Sequence, residues 1–148
     1  MENRFENFTY LIIKLSKQIQ RIKAIEVEEY GLKAIHVMCL FHLKNNSNGL
    51  TSNKLTALTL EDKAAISRAI SYLKNEEIVT YEPKKYNGLI VLTEKGKNIA
   101  EEISKKADNA LAYIGHSISE EERISLYKSL ATIDREMNDY YFNLKEKI

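Results

Sequence analysis

The apolar positions of this chain fall into long stripes of helical period, interrupted once by a short alternating stretch. Phe8, Ile12, Leu15, Ile19 and Ile22 recur at spacings of four and three, which puts them on one face of a helix. Lys14, Lys17, Arg21 and Lys23 take the other side. Over residues 32–44 the chain is apolar nearly all round, through Ile35, Val37, Met38, Cys39, Leu40, Phe41 and Leu43, as suits a helix central to a core. Asn45-Asn46-Ser47-Asn48-Gly49 then supplies turn-forming residues. Ile99, Ile103, Ala107, Leu111 and Ile114 mark a helix over residues 94–115. A last stripe runs Ile124, Tyr127, Leu130, Ile133, Met137, Tyr140 or Tyr141, and Leu144. It follows Ser119-Glu120-Glu121-Glu122, a capping box in which serine and glutamate each satisfy a free backbone N–H.

The middle of the chain is denser. Thr51 suits the N-cap of a short helix reaching about Leu58, and Asp62 suits the N-cap of the next, whose apolar stripe is Ile66, Ala69, Ile70 and Leu73. Two helices joined by three or four residues form a helix-turn-helix, whose second helix lies in the DNA major groove. The outward side of that helix carries Lys63, Ala64, Ala65, Ser67, Arg68 and Ser71. Small residues let the backbone approach the groove floor, and Ser67 and Arg68 suit bonds to base edges or phosphates. A helix N-terminus aimed at phosphate would add its dipole. Thr51, Ser52 and Asn53 stand at the start of the preceding helix. Residues 78–83 and 89–93 are β-rich and flank Lys84-Lys85-Tyr86-Asn87-Gly88, where Asn-Gly signals a hairpin. Its basic tip reads as a wing following the DNA backbone or entering the minor groove, which adds Lys84, Lys85 and Tyr86 to the expected contacts.

The predicted fold is mainly α with a small β-hairpin wing (α+β): a winged helix-turn-helix with N- and C-terminal dimerisation helices. One domain over residues 1–148 is expected. Residues 1–30 and 110–148 form its helical dimerisation region, residues 31–97 its DNA-binding lobe and residues 94–115 its linking helix. The end stripes are longer than a small lobe can cover, so a homodimer is the economical arrangement. With 44% hydrophobic and 29% charged residues the composition is globular. No apolar run nears the ~20 residues needed to span a bilayer, and no signal peptide is visible, so a cytoplasmic protein without a membrane partner is expected. The net charge of +1 decides nothing about nucleic acid. Over residues 54–97 eight basic residues meet six acidic ones, so the order of elements carries more than the charge.

Across essentially its full length the chain resembles the MarR (multiple antibiotic resistance regulator) family. The matching motifs are Leu50-Thr51-x-x-x-Leu55, the run from Asp62 to Ile70, Leu73, and Leu92-Thr93-Glu94-Lys95-Gly96. The resemblance implies a homodimer on double-stranded operator DNA, one winged lobe per half-site, repressing transcription until a small-molecule or other effector releases it. Three positions depart from the family pattern. The wing has no Asp-x-Arg, and its lysines lack the planar fork of arginine. Thr59-Leu60-Glu61 holds no glycine in the helix-turn-helix turn, and Glu77 stands where glycine usually follows the second helix. If Glu77 is left-handed, it costs roughly 1 kcal/mol relative to glycine.

Tyr10, Arg21, Tyr30, His36 and Tyr113 are candidates to line an effector pocket in the crevice between dimer helices and lobe. No metal site is expected. His36 and His42 lie six residues apart, about 600° round a helix, and residues 94–115 contain no histidine to complete a set. A metal-gated repressor, with His36 joining Glu26, Glu28 or Glu29, is one alternative. A winged-helix protein–protein module is another. Cys39 is the one cysteine, which excludes an intrachain disulfide and suits a buried inert thiol. No glycine-rich phosphate loop, nucleophile motif or catalytic cluster of carboxylates and histidines is present, so no enzyme activity and no cofactor are expected.

Overall fold

The computed structural model describes residues 4–82 and 88–146. Their elements are α1 (Arg4–Glu26), a 3-10 turn (Glu28–Tyr30), α2 (Ala34–Asn45), α3 (Ser52–Thr59) and α4 (Lys63–Asn75). The strands β1 (Val79–Tyr81) and β2 (Ile90–Leu92) follow, then α5 (Glu94–Ile114) and α6 (Glu120–Lys145). This is the expected mainly α arrangement with one hairpin. Lys84, Lys85, Tyr86 and Asn87, the expected wing tip, lie outside the described residues. Contacts divide the chain into two compact units, Met1–Ala107 and Asp108–Ile148.

In the first unit α2 is central and packs against α1, α3, α4 and β2. It buries His36, Val37, Cys39, Leu40 and Leu43, which is why it had to be apolar on most sides. From α4 the buried residues are Ile66, Ala69, Ile70 and Leu73, the full predicted stripe. Each large aliphatic side chain removed from water contributes about 1.5–3 kcal/mol. Cys39 is fully buried, and burial, followed by the charge of Glu61, pushes its thiol up to about 11.

The hairpin pairs Val79 with Leu92, Thr80 with Val91 and Tyr81 with Ile90 in antiparallel register. Leu50 adds a single bridge to Ile90 through bonds of 3.0 and 2.8 Å, so the loop before α3 is stitched to the wing base. The Leu-Thr-x-x-Gly motif now has a physical reason. The Thr93 hydroxyl donates to the Glu77 carbonyl at 2.7 Å and accepts the Gly96 N–H at 3.0 Å, capping α5 while bracing the turn after α4. A Cβ on Gly96 would stand 2.0 Å from the Ile78 carbonyl oxygen, so only glycine lets α5 lie against that turn.

Two residues without this freedom adopt left-handed backbone, Leu60 (φ 58°) and Glu77 (φ 57°). They are the two positions where the sequence departs from glycine. Left-handed backbone costs an L-residue roughly 1–2 kcal/mol. At Glu77 the neighbours hold the turn: its N–H donates to Lys74, the Ile78 N–H donates to Leu73 at 2.8 Å, and Lys95 Nζ donates to the Glu76 carbonyl at 2.7 Å. Leu60 is 92% exposed and has no comparable brace among the described residues.

The second unit is chiefly α6. Ser119 and Glu122 form the predicted capping box, with bonds of 3.2 and 2.8 Å. The Gly115 carbonyl accepts from Ile118 N–H and from Arg123 Nη2, which closes the turn into the helix. No residue of α6 is buried. Among the described residues no helix is long and apolar enough to cross a membrane.

Candidate nucleic-acid interface

Thr51 and Asp62 place the two helices of the motif. Thr51 Oγ1 accepts the Lys54 N–H at 3.2 Å, and Asp62 Oδ1 accepts the Ala65 N–H at 2.7 Å. Both are the predicted caps, and losing such a cap costs about 1 kcal/mol. With its apolar stripe buried, α4 turns Lys63, Ala64, Ser67, Arg68 and Ser71 to solvent, while Ala65 is half-buried. Asn53 is exposed, and Thr51 and Ser52 are partly covered. The outward face therefore holds two cations, two hydroxyls and small side chains, able to approach a duplex and donate hydrogen bonds to it. The start of α4 differs from a free anion site, because the Asp62 carboxylate already takes the Ala65 N–H and Glu61 stands beside it. That end of the helix therefore has one N–H fewer to offer an anion, and its carboxylates offset part of the dipole and of the Lys63 charge.

Of the five residues expected to line an effector pocket, Tyr10, Arg21, Tyr30 and His36 belong to the first unit and Tyr113 to the second. Tyr10 and Arg21 share an exposed groove on α1 with Lys14 and Lys17. The Tyr30 hydroxyl donates to Glu102 at 2.9 Å, which, with burial and the Glu29 carboxylate, pushes the phenol up to about 12. His36 is buried and stacked flat on Tyr72 with ring centroids 4.6 Å apart. Burial, then the Lys33 charge, holds its imidazole below the ordinary value. Tyr113 is 79% exposed in the second unit.

A different cavity, of about 380 Å³, opens between α1, α2 and α5. Val37, Leu40, Phe41, Ala100 and Ile103 wall it, with Met38, Ser104 and two lysines. Lys44 is paired with Glu101 at 2.8 Å. Lys23 is half-buried, its ammonium meets the Met38 sulfur at 3.1 Å and no carboxylate among the described residues, and desolvation lowers its pKa. None of these residues was picked out as pocket lining from sequence, where Lys23 was placed on the polar face of the first helix. No group of three or more histidine, cysteine, aspartate or glutamate side chains is placed to hold a metal among the described residues.

No protein-family model matches the chain, and neither does any curated protein. Solved structures do. A MarR protein from Peptoclostridium difficile superposes with a TM-score of 0.83 at 19% identity, covering 97% of this chain and 95% of that one. A transcriptional regulator from Listeria monocytogenes complexed with a 26mer DNA gives a TM-score of 0.81 at 23% identity, over 93% of each chain. The S. aureus MepR–DNA complex gives a TM-score of 0.76 at 17% identity, over 88% of this chain and 96% of that one. The chain has the winged-helix fold of the MarR-type structures, as the sequence resemblance implied.

Proposed function

We propose that this chain is a sequence-specific DNA-binding transcriptional regulator, acting as a homodimer that occupies operator DNA and represses transcription. The carrying observation is the solvent face of α4, where Ser67 and Arg68 lie among small residues on a helix fixed by Asp62 and by its buried stripe. Two neighbours of the same fold, from Listeria monocytogenes and S. aureus, are in complex with DNA, which supports the reading. Arg68→Ala is expected to weaken operator binding by roughly eightfold at 0.1 M salt, through the loss of one cationic contact to the duplex. Unchanged affinity in a fluorescence-anisotropy titration would remove Arg68 from the interface. The operator for that titration comes from selecting bound fragments out of genomic DNA.

The α1–α2–α5 cavity is the effector site in this reading. Its apolar walls and half-buried Lys23, which has no ion-pair partner among the described residues, suit a small apolar molecule bearing one acidic group, since such an anion would restore the solvation that Lys23 lacks. Benzoate serves as a probe. It should weaken duplex binding by the wild-type protein and leave Lys23→Met unaffected; an equal response in both proteins rules the site out.

A further inference from the structure

A second concave surface lies beside α4, between that helix and the start of α2. It is a cleft of about 340 Å³, and its lining includes Lys33, His36, Arg68 and Tyr72 but no carboxylate. We infer that this cleft seats a backbone phosphate of duplex DNA, held by Lys33 from outside the helix-turn-helix together with Arg68 from α4. The inference rests on the DNA-binding reading and adds to it a contact from the loop before α2.

Charge is the first reason. Lys33 and Arg68 are both exposed, and neither has an ion-pair partner among the described residues, where Lys44, Lys97, Lys106 and Arg123 all do. Two cations facing one concavity without a counterion are the complement of a polyanion.

Rigidity is the second. The Tyr72 ring lies within 4° of parallel to His36, and its hydroxyl donates to the Gly31 carbonyl at 2.7 Å. His36 Nδ1 accepts the Lys33 N–H at 3.0 Å. The loop bearing Lys33 is thus tied to the helix bearing Arg68 at two points, so the spacing of the two cations is set before DNA arrives. A preset spacing spares the entropy of ordering on binding. With Nδ1 accepting, the neutral ring carries its proton on Nε2, which has no hydrogen-bond partner among the described residues. His36 as a whole is only 5% exposed, and its ring forms part of the lining of the cleft.

Position is the third. Ala65, Arg68 and Tyr72 form a strip roughly 100° round α4 from the strip of Ala64, Ser67 and Ser71, each one residue further on. With the latter strip toward the groove floor, the former faces the wall of the groove, where the phosphates run.

The test is salt-dependent binding of the full chain to short random-sequence duplexes. Lys33 is exposed and its side chain makes no hydrogen bond among the described residues, so Lys33→Gln should unfold at the wild-type temperature. It is expected to lose about 0.9 from the slope of log affinity against log salt, which is roughly eightfold in affinity at 0.1 M salt, equally on every duplex. Lys33→Arg should keep the wild-type slope. A Lys33→Gln protein with the wild-type slope overturns the phosphate seat and leaves the DNA-binding reading intact. A loss confined to particular sequences overturns it too, by making Lys33 a base reader. A wild-type protein with no salt-dependent affinity for any duplex overturns both.

Discussion

The helices α4 and α6 carry apolar stripes of the same period, yet α4 buries all four of its stripe residues and α6 buries none. In α6, Tyr127, Met137 and Tyr140 are each more than half exposed. On α1 the same holds of Tyr10, Leu11, Leu15 and Ile25. A stripe on a helix is a demand for cover, and the chain meets it for α4 with α2, α3 and β1. Left in water, a face as long as that of α6 needs another surface, and a second copy of the chain presents the same need. The difference separates a lobe that stabilises itself from helices that, in the proposed dimer, would depend on protein concentration.

The strongest way to break the comparison is a charge in the uncovered stripe. Leu130→Glu should cost the proposed dimer about 3–5 kcal/mol for each carboxylate buried without a partner. Light scattering would then report a monomer at concentrations where the wild type is dimeric. An unchanged dimer would show that the α6 stripe is covered by something else. The covered stripe answers differently: Ile66→Ala should lower lobe stability by about 2–5 kcal/mol through lost burial and a residual cavity. Denaturant unfolding measures it, and a cost under about 1 kcal/mol would mean that the core around α4 is loose. Smallest is Leu60→Gly. It releases the roughly 1–2 kcal/mol of left-handed strain against about 0.5–1 kcal/mol of added chain entropy, and the exposed side chain gives up no packing. A net gain of up to about 1 kcal/mol should appear as a raised Tm, while Leu60→Val should lower it.

Much of this could be read from the sequence because its causes are local. Thr51, Asp62 and Ser119 cap N–H groups three residues away, and the α4 stripe needs only helical period to be seen. Gly96 was marked by resemblance alone; its reason is the Ile78 carbonyl, eighteen positions back, and no local pattern contains that distance. The α1–α2–α5 cavity was hidden for a similar cause. Lys23, Phe41 and Ser104 come together only once three helices have packed, and aromatic residues such as Tyr10 and Tyr113 drew attention while pointing to solvent. Lys33 carried no signal, because a lysine in a loop is ordinary until Tyr72 and His36 fix where that loop sits. The left-handed residues were half legible: missing glycines marked Leu60 and Glu77, but whether the backbone would still adopt the turn needed the structure.

The fit at Gly96 has a mechanical consequence. Where α5 meets the Ile78 carbonyl there is no slack, and Thr93 pins the same corner from the other side. Any displacement of the first turn of α5 must therefore drag the end of α4 and the root of the hairpin along as one piece. Such a corner works as a welded elbow rather than a hinge. A shift of the first turn of α5 would re-aim α4 bodily, with its internal shape untouched.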